Sequence, residues 1–189
     1  MIKLNSTWYP SEAIKRCHPS VLRGRSARKI KGFPSMEKFL ENLEEADKII
    51  KTADHLIYMT YPLLKDKRLF LKILTETNRA IIKIITAILQ YDYIYKRISL
   101  YKDTKTNFEI FKEKSAPRYD ISQEEIKEIM ELINLVEKHE KSTMEFIKDD
   151  KVVIINENME SNALTSDKLK KYITLVKNIL RKTKNILLK

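Results

Sequence analysis

Residues 68–100 read RLFLKILTETNRAIIKIITAILQYDYIYKRISL. This stretch contains neither glycine nor proline, and its apolar residues recur at alternating steps of three and four, the spacing of one helix face. Further apolar residues, among them Leu69, Ile73 and Ala80, fall on the rear of the same helix. A helix that is apolar nearly all round is buried by its neighbours. The stretch therefore predicts a long helix at the centre of a mainly α protein.

A first helix is predicted just before this central one. Ser35 is a suitable N-cap, and the helix should end near Tyr61, because Pro62 disfavours helical backbone in the residue before it. The link from Pro62 to Lys67 is short, so the two helices should be antiparallel neighbours.

Two more helices and a hairpin follow. The third helix opens with a capping box, Ser122 and Glu125, and should run to about Phe146. Residues 151–164 combine a β-branched cluster, a polar turn and a short second segment, which predicts a small β-hairpin. The last helix begins at Thr165 or Ser166. Its predicted core positions are Leu169, Tyr172, Val176, Ile179 and Ile186. These elements predict an antiparallel four-helix bundle with a small hairpin before the last helix.

Positive charge is concentrated at the two ends of the chain. Residues 1–36 carry eight Lys/Arg and one acidic residue, and so do residues 167–189, so each end contributes +7 to a net charge of +11. Residues 1–34 also hold both glycines and show no sustained period, which predicts an irregular basic N-terminal arm before a domain spanning residues 35–189. Such asymmetry favours a polyanionic partner.

The candidate nucleic-acid contacts are the cations of these ends. The arm places five of them within nine residues without an acidic residue: Arg23, Arg25, Arg28, Lys29 and Lys31. On the last helix, Lys177, Arg181 and Lys184 lie on the face opposite the apolar one. Clustered cations release counterions from a phosphate backbone, and arginine can bind phosphate oxygens bidentately. The alternative for the helix is an ordinary solvated face.

A polar patch interrupts the central helix at Glu76, Thr77, Asn78 and Arg79. Buried polar groups are costly unless they are hydrogen-bonded, so this patch should meet partners on neighbouring helices. It is a candidate ligand site, or a device that fixes the register of the helices.

Several classes of site are not expected. Cys17 is the only cysteine, and none of His18, His55 and His139 has metal-ligand spacing from another histidine or from Cys17, so we expect no metal site, no cofactor and no catalytic residue of recognisable pattern. The start of the chain lacks the apolar core of a signal peptide, and no apolar run is long enough to span a bilayer. The sequence therefore predicts a cytoplasmic protein that does not enter a membrane.

The helical layout of residues 36–189 resembles HEPN-type bundles and uncharacterised archaeal helical-bundle proteins. The nuclease motif of HEPN proteins is an arginine followed, after four to six residues, by a histidine on one helix. None of the three histidines here has an arginine that far upstream. The resemblance therefore implies a binding or scaffold role without the nuclease chemistry.

The leading functional prediction is a non-enzymatic protein that binds RNA or a ribonucleoprotein through its basic terminal segments. RNA is favoured over duplex DNA because no DNA-reading motif is visible and irregular basic arms suit folded RNA. Two alternatives stay open: an interaction or assembly module whose arm docks on a protein partner, and a ligand-binding or enzymatic bundle that uses the polar patch.

Overall fold

The structure, a computed structural model, describes residues 36–142, 144–148, 151–155 and 161–187. The described chain is mainly helical, with one small sheet before the last helix. The helices are α1 Met36–His55, α2 Tyr61–Leu64, α3 Leu69–Ile94, α4 Thr104–Ile110, α5 Gln123–Glu140 and α6 Ser166–Leu187. The strands are β1 Met144–Lys148, β2 Lys151–Ile155 and β3 Ser161–Leu164. The mainly α class and the sheet before α6 are confirmed, whereas the narrower four-helix bundle stays a prediction.

The central helix is confirmed. Its apolar residues include Phe70, Ile73, Leu74, Ile81 and Ile84, all fully buried. They pack against α1, α5 and α6. The helix ends at Ile94 instead of reaching residue 100, because Lys96 adopts a left-handed backbone conformation with φ 55°.

The prediction that the first helix ends at Tyr61 is wrong. After α1, residues Leu56–Thr60 form a π-helical turn, and the chain continues helically through α2. The wide turn lets the amide of Tyr61 reach the carbonyl of Leu56, five residues back. It also relieves the clash that Pro62 would make with the preceding turn of a regular α-helix. Lys65, in the left-handed conformation, then ends the helix.

The sheet has one strand more than the sequence predicts. Strands β2 and β3 pair antiparallel, which confirms the two arms of the hairpin, while its turn at 156–160 lies outside the described residues. The third helix stops at Glu140, and β1 adds to β2 with Phe146 opposite Val153. The extension of that helix to Phe146 is therefore wrong. Residues 144–148 take strand geometry because β2 offers an unpaired edge, a partner that local periodicity does not reveal.

The predicted caps of α5 and α6 are present, while the predicted N-cap Ser35 lies outside the described residues. The hydroxyl of Ser122 accepts the amide of Glu125, whose carboxylate accepts the amide of Ser122 at 2.8 Å. Thr165 caps α6 by accepting the amide of Lys168 at 3.2 Å. Four of the five predicted core positions of α6 are buried. The fifth, Ile186, is 37% exposed, and the neighbouring Leu187 is buried instead.

A buried carboxylate fixes the segment that follows α3. Asp92 is 0% exposed and accepts the hydroxyl of Ser115 at 2.7 Å. Ser115 closes a second π-helical turn, Phe111–Ser115, and Tyr119 donates to the same carboxylate at 3.5 Å. Burial, reinforced by the negative charge of Asp92, raises the pKa of Tyr119, so the phenol keeps the proton that it donates. Asp92 thus ties residues 111–119 to the end of α3.

Candidate nucleic-acid interface

The candidate site is an open groove of about 880 Å³. It lies where the end of the α1–α2 region, the α2–α3 link, the start of β2 and the start of α6 meet. Its lining residues are Ile57, Tyr58, Tyr61, Pro62, Lys65, Lys67, Lys151, Thr165, Ser166, Asp167 and Lys170. Three separate segments of the chain, residues 57–67, Lys151 and residues 165–170, therefore contribute to one surface.

The π-helical turn shapes one wall of this groove. It contains Ile57, which is buried, and Tyr58, whose side chain is 49% exposed. Tyr61, just beyond the turn, packs against the ring of Phe70 with 4.7 Å between centroids. The wall therefore presents one exposed ring and one ring held by the core. Single π-helical turns within α-helices occur frequently at functional sites.

The groove is strongly positive. Among the described residues, four lysines line it, Lys65, Lys67, Lys151 and Lys170, against a single acidic residue, Asp167. The carboxylate of Asp167 is 96% exposed and 3.8 Å from Lys170, so this ion pair is weak. The ammonium of Lys170 also lies 5.8 Å from the ring centroid of Tyr58. A concave surface of one charge sign concentrates anions, and the exposed ring offers a planar stacking partner.

The basic face of α6 is largely occupied by interhelical ion pairs. Lys177 contacts Asp54 at 2.5 Å and Lys184 contacts Asp47 at 3.1 Å. The two lysines are seven residues apart on α6, and the two aspartates are seven residues apart on α1. The two ion pairs therefore connect the antiparallel helices α1 and α6 at points two turns apart. Either lysine must give up a carboxylate partner before it binds phosphate.

Arg181 is the exception among the predicted contacts of α6. It is exposed, and no ion pair of its side chain is found among the described residues. The five predicted contacts of the arm, Arg23, Arg25, Arg28, Lys29 and Lys31, lie outside the described residues. The structure thus keeps one of the three predicted α6 contacts exposed and unpaired within the described chain.

The junction between α1 and α6 gives a pH-dependent prediction. A hydrogen bond from Lys51, helped by Lys184, holds the pKa of Asp47 below its usual value. A carboxyl with a depressed pKa in the folded state stabilises the protein above its unfolded pKa, near 4, and this stabilisation is lost as the pH falls. We expect Asp47→Asn to lose less stability than wild type between pH 7 and pH 3, measured by urea denaturation. The variant Asp167→Asn, at an exposed carboxylate, is the charge control. If Asp47→Asn loses as much stability as wild type between pH 7 and pH 3, Asp47 does not have this role.

The polar patch on α3 does not converge on one site. Glu76 and Arg79 form an ion pair with each other at 2.9 Å, and the hydroxyl of Thr77 donates to the carbonyl of Ile73 at 2.7 Å. The side-chain oxygen of Asn78 is buried without a hydrogen-bond partner among the described residues. None of the four residues lines the groove. Three of the four side chains have their polar partners within α3 itself. This arrangement fits a structural role within the helix better than a ligand site.

The described histidines make local contacts. His55 lies 3.4 Å from the hydroxyl of Thr60, and His139 pairs with Glu145 at the start of β1. Within the described parts of the chain, no group of three or more His, Cys, Asp or Glu side chains is arranged to hold a metal ion. The same residues include no helix that is both long and apolar enough to cross a bilayer.

Sequence reasoning missed the groove because its lysines look ordinary in sequence. Lys65 and Lys67 lie in a link between helices, Lys151 lies in a strand, and Lys170 lies at the start of α6. One available signal is Pro62 close after an otherwise regular helix, which requires a local irregularity in the backbone. That signal marks the π-helical turn but not its neighbours across the groove.

No protein-family model matches this chain, and searches against curated proteins and against solved structures also gave no match. The resemblance to HEPN-type bundles therefore stays a prediction.

Proposed function

We propose that this protein binds single-stranded RNA without acting on it as an enzyme. The groove and the basic N-terminal arm are its two main contact regions, carried by four long helices in an antiparallel bundle. The observation that supports the proposal best is the groove, which is lined by four lysines and by the exposed ring of Tyr58.

The two kinds of side chain in the groove suit the two parts of a nucleotide. Lysine ammonium groups neutralise phosphates and release condensed counterions, which gives salt-dependent affinity. An exposed tyrosine ring stacks on an unpaired base, and such a contact is worth about 1–3 kcal/mol per base. A base inside a duplex has no exposed face for stacking, so this combination favours single strands over duplexes.

The test is to remove charge from the groove. We expect Lys65→Gln, Lys151→Gln and Lys170→Gln together to reduce the salt slope of single-stranded RNA binding by about 2, since each phosphate contact contributes about 0.7. The same change lowers the affinity about a hundredfold at 0.1 M salt. Fluorescence anisotropy of a labelled oligonucleotide across a salt series measures both quantities.

A control triple variant carries the same loss of charge outside the groove. Lys48, Lys105 and Lys127 are exposed, lie on α1, α4 and α5, and are absent from the groove lining. Their replacement by glutamine should leave the affinity close to that of wild type. Equal losses from both triple variants, or tighter binding of duplex DNA than of single-stranded RNA, would refute the groove as an RNA site.

A protein-interaction module remains the second candidate, and strand β1 favours it. This strand lies at the edge of the sheet, with Met144, Phe146 and Ile147 exposed by 60%, 39% and 52%. An edge strand with exposed apolar side chains is a template for pairing with another chain. The module gains support if wild type shows no RNA binding at low salt and a partner is captured that β1 substitutions release.

A further inference from the structure

A second cationic cluster lies at the opposite end of α1 from the groove. It consists of Arg97 and Arg118, which contact the same buried carboxylate, Asp92. Arg97 follows α3, and Arg118 lies in the short 3₁₀ turn Ala116–Tyr119. The α2–α3 link that lines the groove and the end of α3 that bears Asp92 are separated by the length of α3, 26 residues or about 39 Å.

The contacts to Asp92 leave most of each guanidinium unused. One nitrogen of Arg97 lies 3.3 Å from the carboxylate, and one nitrogen of Arg118 lies 3.5 Å from its other oxygen. Both distances are at or beyond the long end of ordinary hydrogen bonds, and each guanidinium has five N–H donors. The two side chains are 41% and 42% exposed. Donors of both groups therefore remain accessible to an anion in solvent.

The local charge also favours an added anion. One carboxylate faces two guanidinium groups, and among the described residues neither of them contacts a second acidic side chain. Lys96, exposed beside Arg97, adds another cation. The cluster is therefore left with a net positive charge that a phosphate group would balance.

Arg97 and the shared carboxylate are held in place before any ligand arrives. The guanidinium carbon of Arg97 lies 5.5 Å from the ring centroid of Tyr91 and 5.3 Å from that of Tyr95. Such stacking is favourable and restricts the plane of the guanidinium. Ser115 and Tyr119 fix the carboxylate from the buried side. A preorganised arginine such as Arg97 loses less conformational entropy on binding than an unrestrained side chain.

The cluster lies near the start of α1, the element that follows the arm in sequence. Phe39, in the first turns of α1, packs edge-on against Tyr91 with 5.3 Å between ring centroids. Tyr91 in turn carries Arg97. The basic run of residues 23–31 ends five residues before α1 begins, so it is covalently tethered to this end of the molecule.

We propose that Arg97 and Arg118, positioned by Asp92, form a phosphate subsite that binds the backbone of the RNA at the arm end of the molecule. This inference rests on the proposed RNA function and extends the bound strand from the groove to the arm. A strand that reaches both regions spans a distance of about the length of α3.

The first experiment labels arginines in the wild-type full-length chain. An arginine-selective dicarbonyl reagent is applied with single-stranded RNA, with inorganic phosphate, or with chloride at equal ionic strength, and peptide mass spectrometry gives the rate at each site. We expect RNA and phosphate to slow modification of Arg97 and Arg118 severalfold. Arg79, whose side chain is exposed and paired with Glu76 outside the groove lining, serves as the internal reference and should be unaffected.

The second experiment compares two double variants that lose the same charge. Arg97→Gln with Arg118→Gln should reduce the salt slope for RNA by about 1.4, as expected for two phosphate contacts. Arg79→Gln with Lys127→Gln, at two exposed cations outside both contact regions, should leave the slope unchanged. Circular dichroism of both proteins separates loss of binding from loss of fold, and the labelling experiment on wild type is independent of that question.

The outcomes separate this inference from the proposed function. One outcome is that wild type binds RNA through the groove while the reagent modifies Arg97 and Arg118 at the same rate with and without RNA. This result refutes the subsite and leaves the RNA function standing. If wild type binds no RNA, the proposed function fails, and the labelling with inorganic phosphate tests the subsite. Slower modification of Arg97 and Arg118 in phosphate supports a phosphate subsite, and unchanged modification rates overturn it.

Discussion

Replacing Asp92 by alanine should destabilise the protein by about 2–6 kcal/mol, because it leaves two buried hydroxyls without their acceptor. The carboxylate is fully buried and is the shared acceptor of Ser115, Tyr119 and two arginines. Its removal leaves the buried hydroxyls of Ser115 and Tyr119 unpaired, and each such group costs about 1–3 kcal/mol. Because small domains are stable by only about 5–15 kcal/mol, the loss is large. Urea denaturation followed by circular dichroism measures it.

A second variant at this position separates charge from shape. Asp92→Asn keeps the size of the side chain and one acceptor oxygen, so it should destabilise less than Asp92→Ala. Asp167→Ala, which removes an almost fully exposed carboxylate, is the matched control and should leave the unfolding midpoint nearly unchanged. A loss for Asp92→Ala no larger than that of an ordinary surface substitution, about 0.5 kcal/mol, would contradict the anchoring role of this carboxylate.

Neutralising the basic run of the arm should have the largest effect on RNA binding. The change replaces Arg23, Arg25, Arg28, Lys29 and Lys31 by glutamine in the full-length chain. With all five cations on phosphates, the salt slope falls by about 3.5 and the affinity at 0.1 M salt falls about a thousandfold or more. The measurement is the same salt series as for the groove variants, alongside a chain that begins at Ser35.

A shuffled arm is the control for this prediction. Permuting residues 23–31 keeps the charge of the run and changes its order, so a purely electrostatic contact should keep nearly the affinity of wild type. Circular dichroism and the unfolding midpoint of the neutralised and shuffled chains separate loss of binding from loss of fold. Wild-type affinity in the neutralised chain removes the arm from the RNA site and leaves the groove as the remaining contact region.

Several predictions from sequence hold because their signals are local. The burial of Phe70, Leu74 and Ile81 follows from the helical spacing of apolar residues, which can be read from a short segment of sequence. The capping box at Ser122 and Glu125 needs only three residues of separation and one turn of geometry. The strands of the hairpin follow from β-branched residues and turn residues that are neighbours in the chain.

The charged residues show where sequence reasoning stops. Lys177 and Lys184 form a regular basic face in sequence, but the tertiary structure sets them opposite Asp54 and Asp47. The ordinary lysines at 65, 151 and 170 are instead brought into one groove. Charge patterning tells which side chains face away from the core, whereas neutralisation depends on the element packed beside them.

Strand β1 illustrates the same limit for secondary structure. Residues 144–148 alternate too briefly to distinguish strand from helix, and the pairing of Phe146 with Val153 decides the matter.

The sequence by itself determined a mainly helical chain around residues 68–100, a small sheet before the last helix and basic ends, since periodicity, caps and charge are properties of short segments. Only the tertiary structure decided the groove, the ion pairs between α1 and α6, and the arginine pair on Asp92. Each of these joins residues from separate elements, and the energy of a charge or a buried polar group depends on which partners the fold places within hydrogen-bonding distance.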